Sequence, residues 1–355
     1  MPADRTFVTE LATGLGMLGR GGVGATLAAR PQEMANLTRD DWCRLDALWA
    51  EGAHRVDFEH GFANGRAFLA APDALAGRPP RVVEWTGPRR APGDEVVPAD
   101  LRVDHVYLVS CKYLSKVLHN ASPQRLVDGL LGQAPVEDRG DWYEAVAPGQ
   151  HQALYAACCS TLGDGWPDRV GDLDKSQRHE LAHSLRGPWP DAAVEPYAQL
   201  CRSVASATAV LWGERVTPRT REALLWRLLR IGSAPYFVLG SSSEGSVRLR
   251  IDTPWDWRQR YLLRRFEVVA QSGGQPRVGW RAHYEVRETK ARRTVEGHVE
   301  LRWSHGRFGG PPEAKVYLDT PAPLVPGYHP LDGTDPPMPP ADDLPTWEEL
   351  TLFEA

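Results

Sequence analysis

Apolar positions recur at two different periods along this 355-residue chain. Between Asp40 and Ala53, Trp42, Leu45 and Trp49 fall at helical spacing and predict the inner face of an α-helix. Within the strand-rich stretch 81–112, Leu101 to Val103 and Val106 to Val109 are short β-prone runs on either side of Asp104-His105, a pair that turns easily. The helical period returns from 166 to 232, broken at Gly187-Pro188-Trp189-Pro190 and around Thr217-Pro218. There Leu200, Val204, Ala207 and Leu211 mark one stripe, and Leu224, Leu225, Leu228 and Leu229 mark another. Beyond 233 alternation takes over, in Ser246 to Ile251, Tyr261 to Ala270, Val278 to Glu288, His298 to Trp303 and Ala314 to Leu318. Nine prolines between Pro321 and Pro345 then make a segment that holds neither sheet nor helix easily and reads as a tether. The expectation is an α+β protein with an α/β core in residues 1–165, a helical connector over 166–232, an antiparallel β domain over 233–320 and a Pro-rich acidic tail over 321–355.

Charge sharpens this division. The net charge of −5 conceals a stretch from Arg248 to Arg307 with 14 Arg or Lys against 7 Asp or Glu, and a final stretch from Asp332 with 7 acids and no base. Five cysteines, Cys43, Cys111, Cys158, Cys159 and Cys201, show no regular spacing, which argues against a disulfide framework and for a reducing cytoplasm. Neither a secretory leader nor an apolar run of membrane-spanning length is visible, so no membrane partner is expected.

The chemistry concentrates in the predicted hairpin. If its loop has three residues, Asp100 faces Ser110 across the strands, and Lys112 follows two residues later. A phosphodiester hydrolase needs such a spacing, with a carboxylate to hold Mg²⁺ against the phosphate and a lysine to orient water and offset developing charge. Pro98-Ala99-Asp100 and Ser110-Cys111-Lys112 resemble the PD-(D/E)xK superfamily of restriction-endonuclease-like nucleases, in which the first acid opens one strand and an acid-x-lysine pair closes the next. The resemblance covers roughly 50–135, with an inserted Ala in the first half and Ser110 in place of the second acid. It implies a restriction-endonuclease-like N-terminal core that uses Mg²⁺ or Mn²⁺. In family members with Ser-x-Lys, the missing carboxylate comes from the following helix, for which Asp128 is the candidate here, although Ser122-Pro123 divides that segment. The family's first helix often adds a Glu, for which Glu59 is the first candidate; Glu84, in the strand-like Val82 to Trp85, is the second. The resemblance thus points to a metal set of Asp100 and Glu59 and to a restriction or phage-defence setting.

A second signal lies in the β domain, where Trp255, Trp257 and Tyr261 are interleaved with Arg258, Arg260, Arg264 and Arg265. Arginines contact phosphate and exposed rings stack on bases, so this pattern predicts a nucleic-acid platform; the pattern itself does not separate DNA from RNA, and DNA is expected ahead of RNA only with the nuclease reading. The same rings also suit the core of a sandwich. His179-Glu180-Leu181-Ala182-His183 formally matches HExxH, in which His179 and His183 hold Zn²⁺ and Glu180 activates water. Leu173, Leu181 and Leu185 fall on the opposite face, however, which leaves both histidines toward solvent. Gly19 to Thr26 imitates a phosphate-binding loop but has Ala25 where the lysine belongs, so a bend between helices is expected there. Glu313-Ala314-Lys315 reads as part of a cross-strand charge pattern. In the acidic tail 342–355, Trp347, Leu350 and Phe353 would share a helix face suited to a protein partner. The favoured function is a metal-dependent nuclease. A non-catalytic nucleic-acid-binding subunit is the alternative, and an HExxH zinc metalloprotease is a more distant one.

Overall fold

The computed structural model describes residues 4–19, 21–87, 99–113, 117–127, 140–232, 234–242, 245–271 and 274–331. In chain order it begins α1 (Asp4–Leu18), α2 (Val23–Ala29), β1 (Met34–Ala35), α3 (Arg39–Glu51), α4 (Arg55–Ala70), β2 (Val83–Trp85), β3 (Leu101–Val103), β4 (Tyr107–Tyr113), β5 (Val117–Ala121) and α5 (Pro123–Val127). The helices α6 (Trp142–Val146), α7 (Pro148–Leu162), α8 (Lys175–Ser184), α9 (Asp191–Arg215) and α10 (Arg221–Leu228) follow. Then come β6 (Tyr236–Ser242), β7 (Gly245–Ile251), α11 (Pro254–Arg260), β8 (Tyr261–Gln271), β9 (Arg277–Val286), β10 (Arg292–Arg302), β11 (Glu313–Leu318) and β12 (Tyr328–Pro330).

The strands form two sheets. One is mixed and has seven strands in the order β1-β2-β3-β4-β6-β7-β12, in which β2, β3 and β4 are an antiparallel meander and β6 returns parallel to β4. The other is antiparallel, in the order β5-β11-β10-β9-β8. The expected β domain therefore does not keep its strands together: β6 and β7 extend the larger sheet, while β5, from within the expected core 1–165, pairs with β11. Adjacency explains both exchanges, because β4 and β11 each offer an edge whose N–H and C=O groups need partners.

Two cores result. Helices α1 to α4 cover one face of the larger sheet, burying Phe7, Leu11, Leu15, Phe58 and Phe68 against Val83, Leu101, Val109, Phe237 and Leu239. Helix α1 is apolar on nearly every side because α4 and the sheet enclose it. Its approach to α4 needs Gly65, where a β-carbon would run into the Thr13 carbonyl oxygen. Thr38 and Asp41 make a capping box that starts α3, one residue before the predicted Asp40 start. The second core joins α6, α7, α9 and α10 to the inner face of the antiparallel sheet and reaches Tyr236, Leu249 and Ile251 of the larger one. The predicted α10 stripe is buried as a whole, but that of α9 is rotated: Thr208 and Trp212 turn inward while Leu211 is 40% exposed. The Trp142 indole N–H donates to the Thr208 hydroxyl at 3.0 Å, which lets a polar side chain take that inner position. The glycine-rich segment joins two helices, as expected, but α2 already begins at Val23 and takes in Thr26. Among the described residues no helix is long and apolar enough to cross a membrane.

Candidate active site

The predicted hairpin forms with a three-residue loop, Asp104 to Val106, so Val106 belongs to the turn rather than to the second β run, and the condition for Asp100 to face Ser110 is met. Asp104 and His105 both adopt left-handed backbone conformations, φ 49° and 61°, to close it. Leu101 lies opposite Val109, so Asp100 stands across from Ser110 at the open end. The Ser110 hydroxyl donates to Asp100 Oδ2 at 3.1 Å, and the Cys111 backbone N–H donates to the same oxygen at 2.6 Å. The Asp100 backbone is held as well, its N–H donating to Val109 and its carbonyl accepting from Thr86. Ser110 is 1% exposed, so its hydroxyl acts as a buried clamp on the carboxylate.

Alternation divides the flanking side chains. Val109 and Cys111 face α1, whereas Ser110 and Lys112 face the other side. The parallel partner of Lys112 is Gly240, and a β-carbon there would run into the Lys112 carbonyl oxygen. On the α1 side the Cys111 thiol is pushed well above its ordinary pKa. Burial is the main cause, and the carboxylates of Asp100 and Glu10 add to it. Glu10 is itself buried and accepts the Trp85 indole N–H at 2.7 Å. It is a buried acid that sequence reasoning did not single out. Its signal was a carboxylate inside an otherwise apolar helical run, Phe7 to Leu15.

The candidate acids do not join Asp100. Glu59 lies on the exposed face of α4, while Phe58 and Phe62 turn inward. Glu84 shares the Lys112 face but bonds His105 at 2.9 Å, at the turn end of the hairpin and away from Asp100. Asp128 lies outside the described residues. The segment before it is strand β5 followed by α5, which starts at Pro123; the helix expected to follow Lys112 directly does not form. Among the described residues no three His, Cys, Asp or Glu side chains are placed to share a metal ion. Mg²⁺ favours a near-octahedral oxygen set, and Asp100 alone falls short of one.

The remaining motifs are placed as follows. His179, Glu180 and His183 all lie on the outer side of α8, with Leu181 and Leu185 buried beneath, so the helix does not turn an HExxH face into a cleft. Lys315 lies opposite Glu300 in the antiparallel sheet, the cross-strand juxtaposition expected, while its ion pair at 3.8 Å is with Glu313 of its own strand. The aromatic and arginine platform needs correction. Trp257 is fully buried, its indole N–H donating to the Pro326 carbonyl at 3.2 Å, and is a core residue. Arg258, Arg264 and Arg265 are paired with Glu222, Glu285 and Glu267 at 2.9, 2.8 and 2.6 Å. Trp255, by contrast, is 73% exposed. The acidic tail 342–355 lies outside the described residues.

Comparison of the chain with protein-family models, with curated proteins and with solved structures finds no match.

Proposed function

We propose that this protein is a nuclease of restriction-endonuclease-like build, acting on DNA ahead of RNA at the mouth of the β3–β4 hairpin. One observation carries the reading: the Asp100 carboxylate is fixed across the hairpin by Ser110 and the Cys111 N–H, with Lys112 two residues beyond Ser110 on the same face. Asp100 is oriented before substrate arrives, so no reorganisation is needed at the moment of reaction. Lys112 supplies a positive charge beside the phosphate and a donor for the attacking water. Ser110 acts through Asp100, whose position it sets. Mg²⁺ or Mn²⁺ is the cofactor this chemistry calls for, but one carboxylate among the described residues is too few to define its site. Incubation of the chain with linear, circular and single-stranded DNA and with RNA, with Mg²⁺ or Mn²⁺ and with chelator, tests the proposal. Metal-dependent cleavage that Asp100→Ala abolishes supports it, and cleavage that survives Asp100→Ala refutes the assignment.

A second reading has its own observation. Asp100 Oδ2 already accepts two hydrogen bonds, and neither Glu59 nor Glu84 is turned toward it. That arrangement also suits a nucleic-acid-binding subunit that keeps the nuclease architecture while a partner performs the chemistry. Binding without cleavage of any substrate would favour it. A role in restriction or phage defence is compatible with both.

A further inference from the structure

Positive charge is neutralised over most of the antiparallel sheet and is in excess at one end. On the outer face Arg281 pairs with Glu296 at 3.0 Å, Arg277 with Glu300 at 2.8 Å and Arg265 with Glu267 at 2.6 Å. The β9–β10 turn differs: Arg287 to Arg293 carries four bases and one acid. Arg287, Lys290 and Arg292 are exposed, and among the described residues none of them is in an ion pair. Lys290, at the tip, holds a left-handed backbone, φ 60°.

This turn is locked to α11. The Arg287 backbone N–H donates to the Arg260 carbonyl at 2.8 Å, and its side-chain Nε donates to the carbonyls of Arg258 and Tyr261 at 2.8 and 3.2 Å. These bonds satisfy the C-terminal end of the helix and leave the rest of the guanidinium facing outward. The other end of α11 is fixed by a capping box between Thr253 and Asp256, and by Trp257 in the core. That anchoring turns Trp255 out to solvent. Arg260 rests against His329 at 2.9 Å, which in turn bonds the buried Asp252 at 3.0 Å. Trp255 and Arg260 lie five residues apart on α11, roughly 8 Å along the axis and about 140° around it, so a strand that meets both must wrap the helix end.

We propose that α11 and the β9–β10 turn form a single-stranded nucleic-acid-binding surface, with phosphates on Arg260, Arg287, Lys290 and Arg292 and an unpaired base stacked on Trp255. The occupant follows from the chemistry. Guanidinium forks match phosphate oxygens, and the exposed flat ring of Trp255 on the same helix offers a base-stacking platform that an acidic peptide, held by the cations alone, would leave unused. The inference rests on the reading that this chain engages nucleic acid, and it adds the place where that occurs.

The test is fluorescence anisotropy of labelled single-stranded and duplex oligonucleotides with the full chain, in chelator so that cleavage plays no part. Arg287→Glu, Lys290→Glu and Arg292→Glu combined should weaken single-strand binding about tenfold or more and lower the salt slope by roughly 2. Trp255→Ala should weaken single-strand binding by about fivefold or more and leave duplex binding unchanged. All four positions are exposed, and unchanged thermal melting confirms that the variants fold. If the parent binds and every variant binds equally well, this surface is wrong while the nucleic-acid reading stands. If the parent binds no oligonucleotide, both fall. If instead a labelled peptide of residues 342–355 binds and the charge-reversed protein loses it, the surface belongs to the acidic segment and the proposal is overturned.

Discussion

Gly240 lies against Lys112 across the parallel β4–β6 pair so closely that a β-carbon on it would stand 2.9 Å from the Lys112 Cβ and collide with the Lys112 carbonyl oxygen. The strand that returns after the helices of the chain's middle is thereby fitted to the lysine proposed to act on phosphate. Gly240→Ala should cost about 1–3 kcal/mol in stability, read as a shift in denaturant midpoint, because backbone cannot yield as a side chain can. The same variant should lose nuclease activity under conditions where it remains folded.

His151 predicts an acid-side loss of stability. The ring is 1% exposed, stacked on Phe308 at 5.5 Å and flanked by Tyr143 and Trp303, and neither ring nitrogen has a hydrogen-bond partner among the described residues. Burial, aided by the positive Arg178, pushes its pKa down to about 4. A folded-state value below the unfolded one means that the unfolded chain binds the proton first. The stabilising effect of the neutral ring is thus complete above the unfolded value and is lost as pH falls toward 4, by up to about 3 kcal/mol. His151→Phe should flatten this acid limb in urea titrations at pH 4.5 and 7.5; an unchanged limb would contradict the assignment.

Asp141 acts with the opposite sign. It caps α6, accepting the Tyr143 N–H at 2.8 Å, while its other oxygen is buried without a partner among the described residues. Burial pushes its pKa up to about 6, against the lowering effect of its backbone hydrogen bonds. The folded state therefore favours the protonated acid, and its contribution is lost as pH rises through 6. Asp141→Asn keeps the cap and removes the charge, so it should stabilise the protein by up to about 3 kcal/mol at pH 8 and have little effect near pH 3.5.

Trp255 and Trp257, two residues apart, should separate by phenotype. Trp257→Ala should cost about 3–5 kcal/mol through the cavity it leaves, whereas Trp255→Ala should stay within about 0.5 kcal/mol of the parent. Equal melting temperatures for the two variants would contradict the placement of Trp257 in the core.

What the sequence made legible was local. The β3–β4 hairpin could be read because a tight turn and two short runs fix their own register, and register alone places Asp100 opposite Ser110. The outward placement of His179 and His183 followed from helical phase. Other features depended on distant partners. Val117–Ala121 gives no sign that it pairs with β11, nearly two hundred positions away in the chain. Arginine counts suggested a uniform platform, but cross-strand neighbours decide which charges are matched: Glu285 claims Arg264, while the three cations at the β9–β10 turn enter no ion pair among the described residues. The resemblance alone suggested Glu59, which is exposed on α4. Glu10 is buried instead, because α1 is enclosed and α4 covers it, and that enclosure depends on partners distant in the chain.

The most direct test of the central claim is the single-turnover cleavage rate of labelled DNA by the Lys112→Ala protein, measured beside its binding in chelator. The account predicts metal-dependent cleavage by the parent and a loss of about 100-fold or more in the variant, with affinity retained. Cleavage at the parental rate by Lys112→Ala would contradict it.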